Sequence, residues 1–319
     1  MFAFCIEASH ARGLGHLYRS LNLADTLQPA GRHCVFFVND DDVALSTIRR
    51  RGYGVEVVSL DDEASSWERD LVVQHRISLW VNDRLNTSGV HGERVRSLGI
   101  PLVTFDDHGA GAAFANLHVA ALAGEDAREL AGDKVLRGPE YLILSPDLEK
   151  FRRLREPGAK PLLVTLGGSD TYGVTVRVVS ILARLGRMAT VLVGPAFGHD
   201  AELAVALSCG PRMFTVVRNV PSLAELMSRH DLAITGGGIT PFEAAASGLP
   251  TIVIANEAFE VPVAQLLAKI GCSVFAGHHS KLDESVFSSA LDIAKMSQAG
   301  LDGVTLDGAA KVAAELLAL

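Results

Sequence analysis

Cysteine is scarce and dispersed: the four thiols, Cys5, Cys34, Cys209 and Cys272, include no C-x-x-C pair. Such spacing excludes a zinc knuckle and a disulfide framework, and the expectation is four buried thiols. Long apolar runs are also missing. None approaches the roughly 20 residues that a membrane-spanning helix needs, so no membrane span is expected. Basic runs are absent as well. Lys and Arg number 29 against 37 Asp and Glu, a net charge of −8 at pH 7, and the electrostatic footprint of a nucleic-acid binder is lacking. Any phosphate ligand must then be held locally, by helix N-termini and backbone amides, because the overall field repels it. No basic leader precedes the first apolar run, FAFCI at 2–6, and the expected location is the cytoplasm.

The 319 residues, 48% hydrophobic and 21% charged, describe a globular chain long enough for two domains. Apolar runs of strand length alternate with amphipathic stretches: FAFCI, LYRSLNLADTL at 17–27, HCVFFV at 33–38, DVALSTIRRRG at 42–52, GVEVVSL at 54–60, LWVND at 79–83 and PLVTF at 101–105. Continuous apolar strands between helices indicate a parallel sheet covered on both faces. A charged, proline-bearing stretch, SPDLEKFRRLREPGAKP at 145–161, then interrupts the pattern. Beyond it the alternation resumes with PLLVTL at 161–166, a helix near 172–185, ATVLVG at 189–194, FTVV at 214–217, LAIT at 232–235, PTIVIA at 250–255 and SVFAG at 273–277. The expected organisation is an α/β domain over 1–147, a linker over 148–160 and a second α/β domain over 161–319 with a C-terminal helix. Two Rossmann-like, doubly wound domains would place their strand carboxyl ends on either side of a cleft.

Both halves open with strand, glycine turn and helix. In the first, Gly13 and Gly15 free the backbone before a helix that carries His16 at its start. The positive end of the helix dipole favours the neutral imidazole, the form a general base needs. Arg19, one turn on, would reach a phosphate or sugar from the same face; His10 and Arg12 in the preceding loop are weaker candidates. Asp83 in NDR and the carboxylates of FDDHG at 105–109 end strands and are candidates for positioning water or a hydroxyl. FDDHG also has the look of a metal site, although further ligands would be required. In the second half, LGGSD at 166–170 offers Gly167, Gly168 and Ser169 to a phosphate or sugar, or forms a plain tight turn. The stretch LAITGGGITPFEAAASGLP presents Gly237 and Gly238 before a helix. Thr240 and Glu243 there have capping-box spacing, or serve a ligand, with Glu243 accepting from ribose hydroxyls.

These stretches resemble the nucleotide-sugar hydrolases and transferases with two Rossmann-like domains. The resemblance is strongest to the UDP-sugar hydrolases of pseudaminic acid biosynthesis and their relatives in spore coat polysaccharide synthesis. It is carried by GLGHLYRS, by the DD-bearing strand end with GPEYLILSPDL at 138–148 downstream, by LLVTLGGSD, and by AITGGGITPFEAAASGLP followed by ANE at 255–257. It implies a fold of the glycosyltransferase-B type and an inverting hydrolysis without metal or cofactor, releasing UDP and a free amino or deoxy hexose. By the resemblance His16 activates the water. Gly167, Gly168, Ser169, Gly237, Gly238, Thr240 and Glu243 hold UDP, and Asn256 lies near the nucleotide or sugar. Two departures stand out: Glu257 replaces the glutamine usual after Asn256, and no tyrosine follows Asp83 within two residues, where Arg84 and Leu85 stand. The alternatives are a glycosyltransferase using a UDP-sugar donor, a sugar 2-epimerase and a non-catalytic nucleotide-sugar binder. Neither the hexose nor the oligomeric state is set by the sequence.

Overall fold

The computed structural model describes all residues except 9–14, 123–129, 159, 195 and 219. The described residues form two compact units. One takes in the chain up to Ser145 together with Asp307–Leu319, and the other is Pro146–Leu306. Each unit holds one parallel sheet flanked by helices.

In the first unit the chain runs through β1 (Phe2–Ile6), α1 (Gly15–Leu27), β2 (Cys34–Val38), α2 (Asp42–Arg50), β3 (Gly54–Val57), α3 (Trp67–His75), β4 (Leu79–Asp83), α4 (Gly89–Ser97), β5 (Leu102–Phe105), β6 (Leu117–Ala120) and β7 (Lys134–Arg137). The sheet order is β3-β2-β1-β4-β5-β6-β7, with every pair parallel. β1 is buried on both faces because its alternate side chains enter different cores. Phe2, Phe4 and Ile6 join Leu17, Leu21 and Ala24 of α1, while Ala3 and Cys5 pack with Leu71, Trp80 and Val95. β4 follows the same period of two. Val81 lies on the α1 side and Trp80 on the other, which sends Asp83 toward α1. Asn82 goes the opposite way, where its Oδ1 accepts from Trp80 Nε1 at 2.9 Å and His91 pairs with the buried Glu68.

The second unit contains β8 (Leu162–Thr165), α5 (Val174–Arg184), β9 (Ala189–Val193), α6 (Asp200–Ser208), β10 (Phe214–Arg218), α7 (Leu223–Ser228), β11 (Ala233–Gly236), α8 (Thr240–Ala246), β12 (Thr251–Ala255), α9 (Glu260–Ile270), β13 (Ser273–His278) and α10 (Ile293–Gly303). Its sheet order is β10-β9-β8-β11-β12-β13, again parallel throughout. Both orders reverse direction next to the unit's first strand, between β1 and β4 and between β8 and β11. Ligands of open α/β sheets bind outside the strand carboxyl ends at such points.

Three expectations are corrected here. The C-terminal helix α11 (Gly308–Ala318) was expected with residues 161–319, yet it belongs to the first unit. Its apolar stripe of Val312, Ala313 and Leu316 completes the core built by α1 and β1. The charged stretch assigned to a linker is also fastened down: Arg152 donates to Ala246 O at 2.8 Å, Arg153 to Ser228 O at 3.1 Å, and the fully buried Arg155 to His230 O at 3.1 Å. These carbonyls lie at or just past the ends of α8 and α7, where helices leave acceptors unsatisfied. Finally, Cys5, Cys34 and Cys272 are buried but Cys209 is exposed, because it sits just beyond the end of α6. Among the described residues no helix is long and apolar enough to cross a membrane.

Replacing a buried leucine with alanine costs about 2–5 kcal/mol. Leu316→Ala should therefore destabilise the first unit alone. In native-state hydrogen exchange, protection should fall in β1, β2 and β4 and stay unchanged in β8, β11 and β12.

Candidate functional site

The first cluster grows from the start of α1. Leu17, Leu21 and Ala24 fix the helix on the sheet through their burial, and that rotation turns His16, Arg19 and Ser20 toward the end of β4. Parallel register sets Ile6 of β1 opposite Asp83. Asp83, 1% exposed, gathers all three side chains. Its Oδ1 accepts from His16 Nδ1 at 2.6 Å and Arg19 Nη2 at 2.5 Å; its Oδ2 accepts from Arg19 Nε at 3.0 Å and Ser20 Oγ at 2.9 Å. Arg19 Nη1 donates to Asp106, and the guanidinium lies over the Phe105 ring, 5.1 Å from its centroid.

The electrostatics of this group are decided by opposing effects. Burial works against the Asp83 carboxylate, but the Arg19 guanidinium and His16 outweigh it and hold the carboxyl well below the usual range. Burial likewise works against the Arg19 cation, and Asp83 and Asp106 overcome it, so its proton is held more firmly than usual. An ionised Asp83 only accepts. The proton between it and His16 therefore belongs to Nδ1; in the neutral imidazole this tautomer leaves the lone pair on Nε2, which has no hydrogen-bond partner among the described residues. The His16 side chain is 22% exposed. A carboxylate behind an imidazole in this arrangement is the geometry of a general base.

Several sequence expectations are placed by this geometry. His16 and Asp83 come together. Arg19 was expected to contact a ligand; instead it is 5% exposed and both its edges are occupied by carboxylates, which makes it a brace for Asp83. Gly15 begins α1, while Gly13, His10 and Arg12 lie outside the described residues. FDDHG does not gather as a metal site, because its two carboxylates serve different neighbours. Asp107 accepts from Thr104 Oγ1 at 2.6 Å, Thr87 N at 2.9 Å and Gly109 N at 2.8 Å, and so shapes its own turn. Asp106 carries φ of 45°, a left-handed backbone that aspartate tolerates better than most residues, and this turns it toward Arg19. Ser20 and the Arg19–Asp106 pair went unread in the sequence; the i, i+4 spacing of His16 and Ser20 was the available signal. Arg84, standing where a tyrosine was missed, is 4% exposed and donates to Leu60 O at 3.4 Å.

The second cluster lies at the carboxyl ends of β8, β11 and β12, three adjacent strands. Gly167, with φ of 97°, makes a turn that a side chain would strain, and Gly168 and Ser169 follow it. Asp170 accepts from Val174 N and Thr175 N, both at 2.8 Å, and so caps the first turn of α5. Gly237 is small for a reason internal to the protein, since a Cβ there would stand 2.7 Å from Cβ of Glu260. The carboxylate of that glutamate accepts from Asn256 N at 2.6 Å, and burial raises it despite the backbone amides around it. Among the described residues the Asn256 Oδ1, shielded from solvent, has no hydrogen-bond partner, as an acceptor awaiting a ligand donor would be.

The capping box that the spacing of Thr240 and Glu243 allows, the alternative to a ligand role, does not form. The residue preceding α8 is Ile239, no side chain caps the helix, and the amide of Glu243 bonds the Ile239 carbonyl instead. Glu243 is half-buried, and burial pushes its carboxyl up to about 7. Glu257 is exposed and accepts from the Tyr172 hydroxyl at 2.8 Å, while the Tyr172 ring stacks on His279 with centroids 3.9 Å apart. Among the described residues no group of three or more His, Cys, Asp or Glu side chains is arranged to hold a metal ion.

No protein-family model matches the chain. It is 27% identical over 269 residues to an uncharacterized protein of Methanocaldococcus jannaschii, covering 79% of this chain and 55% of that protein, so it spans about half the length of that relative. It is 21% identical over 284 residues to the spore coat polysaccharide biosynthesis protein SpsG of Bacillus subtilis, covering 85% of this chain and 82% of that one. Among solved structures, Acinetobacter baumannii MurG superposes with a TM-score of 0.70 at 15% identity, covering 100% of this chain and 99% of that one. Anabaena HepE in complex with UDP gives 0.69 at 15% identity, with 100% of both chains covered. A glycosyltransferase from Rickettsia africae gives 0.66 at 12% identity, with 99% of this chain and 98% of that one covered. These likenesses show the fold, two Rossmann-like parallel-sheet units of the glycosyltransferase-B type.

Two pH effects of opposite sign follow. Asp83 is depressed in the folded state, so its contribution is full above the unfolded value of about 3.9 and is lost as pH falls below it. Urea midpoints between pH 7 and 3 should fall more steeply for the native chain than for Asp83→Asn. Glu243 is raised to about 7, so the stability it contributes is present below the unfolded value of about 4.3 and is lost as pH rises through the folded one. Glu243→Gln should gain stability relative to the native chain between pH 5 and 8, in the transition of the second unit.

Proposed function

We propose that this chain cleaves the bond between the anomeric carbon and the phosphate of a UDP-linked sugar, and that His16 is the general base for the attacking hydroxyl. The observation that carries the proposal is the 2.6 Å contact between His16 Nδ1 and the buried Asp83, which leaves Nε2 to take a proton. The hydroxyl oxygen attacks the anomeric carbon, the carbon–phosphate oxygen bond breaks, UDP leaves with the electron pair, and the proton passes to Nε2. Asp83 stabilises the imidazolium so formed. In this proposal the loops of Gly167, Gly168 and Ser169 and of Gly237, Gly238 and Thr240 hold the diphosphate, with Glu243 on the ribose and Asn256 near the sugar. A backbone amide aimed at developing charge is worth about 3 kcal/mol in comparable sites, and a placed base adds roughly 10²- to 10⁴-fold.

We take the attacking hydroxyl to belong to an acceptor, making the chain a glycosyltransferase of polysaccharide biosynthesis. Support comes from the structural likeness to a glycosyltransferase and to a protein holding UDP, and from the spore coat polysaccharide relative. Hydrolysis, the activity expected first from the sequence, is the second reading. It keeps the support of the GLGHLYRS loop, and with water as nucleophile it needs no acceptor site.

Incubation with a panel of UDP-sugars separates the two. UDP release that depends on added saccharide or lipid acceptor supports transfer, steady stoichiometric release without acceptor supports hydrolysis, and tight UDP binding with no turnover in either case overturns both. His16→Ala should lower kcat by about 10²- to 10⁴-fold and leave UDP affinity within twofold by calorimetry. Loss of affinity together with turnover would mark His16 as structural.

A further inference from the structure

We infer that Asp106 is a positioning residue for the base: through Arg19 it holds the Asp83 carboxylate in the orientation that keeps the His16 proton on Nδ1. The inference rests on the reading of His16 as the base. Its starting point is a competition within the cluster. Arg19 Nη2 lies 3.3 Å from His16 Nδ1 and 2.5 Å from Asp83 Oδ1. A guanidinium that slid toward the imidazole would donate to Nδ1 itself. Nδ1 would then have to give up its proton, the proton would move to Nε2, and the lone pair required for proton abstraction would disappear. The fork of Arg19 is planar and rigid, so its position along Asp83 is set by whatever holds its other edge.

That other edge is held by Asp106, through Nη1. Asp106 is itself fixed at three points. Its backbone lies in the left-handed region with φ of 45°, its amide donates to Val119 O at 2.9 Å, and its Oδ1 accepts from Leu122 N at 3.1 Å. The Phe105 ring limits motion of the guanidinium on one face. Asp106 also sets the charge. Two carboxylates and one guanidinium carry a single net negative charge beside the imidazole, and that charge stabilises the imidazolium once the proton arrives. Without Asp106 the same group would be neutral, and the brace would lose one of its two anchors.

The test uses the full chain with nitrogen-15-labelled imidazoles, the His16 signal being assigned among the eleven histidines by its loss in His16→Gln. The native chain should show His16 as the Nδ1–H tautomer. Asp106→Asn keeps the volume and tolerates the left-handed backbone; it should shift His16 toward a mixture of tautomers and lower kcat about 10-fold, with KM within twofold. Should that variant fail to fold, Asp106→Gly serves in its place, since glycine adopts the left-handed backbone and also removes the carboxylate that holds Arg19 Nη1, and the same tautomer change is expected. A folded Asp106→Asn or Asp106→Gly chain whose His16 remains wholly Nδ1–H overturns the inference. The spectrum does not depend on turnover. A native chain with the expected tautomer but no activity on any UDP-sugar would overturn the proposed function, while the variant spectra would still decide the role of Asp106.

Discussion

A buried carboxylate cannot stay ionised unless its charge is compensated, and in the first unit everything at the strand ends is arranged around that requirement at Asp83. The side chain is 1% exposed and receives four hydrogen bonds, two of them from one guanidinium. Breaking one partner from such a group costs about 3–5 kcal/mol because the remaining charge is stranded. The same cost makes the cluster rigid. α1 cannot rotate, β4 cannot slip and His16 cannot turn without uncovering Asp83, so the imidazole is oriented by the need to satisfy an ion beneath it. The geometry proposed for catalysis and the structural necessity are here one set of contacts.

The second unit meets a different constraint. Its loops offer glycine turns, an Asn256 oxygen with no partner among the described residues and a Glu243 carboxyl that burial pushes up to about 7. The proposed ligand, a diphosphate joined to a ribose, would bring acceptors for the amides and donors for these oxygens. Glycine plays two distinct parts in it. At Gly167 the backbone itself requires the absence of a side chain, whereas at Gly237 the neighbouring Glu260 occupies the space a Cβ would take. Only the first kind is visible as a turn signal.

Much of this was legible in the sequence, and the parts that were not share a cause. Strands such as FAFCI and LWVND announce themselves because parallel strands are buried on both faces, and the observed β1 and β4 match those runs residue for residue. His16 and Asp83 were legible as a glycine-turn histidine and a strand-end carboxylate. Their partnership was not, since 67 residues separate them and only sheet register brings them together. Asp106 was hidden by a single left-handed residue that redirects its side chain. The Thr-x-x-Glu spacing at Thr240 forms no capping box, because the chain enters α8 with Ile239 already in helical conformation. The placement of α11 was beyond local pattern altogether, for an amphipathic stripe states that a face is buried without saying against what.

The most direct measurement of the central claim is a double-mutant cycle on turnover between His16 and Asp83. If the carboxylate acts through the imidazole, the chain carrying both His16→Ala and Asp83→Asn should be no slower than the His16→Ala chain alone, as for residues that work as one unit. Losses that multiply, with the double variant slower by the product of the two single effects, would show that the two residues act independently and would contradict the account.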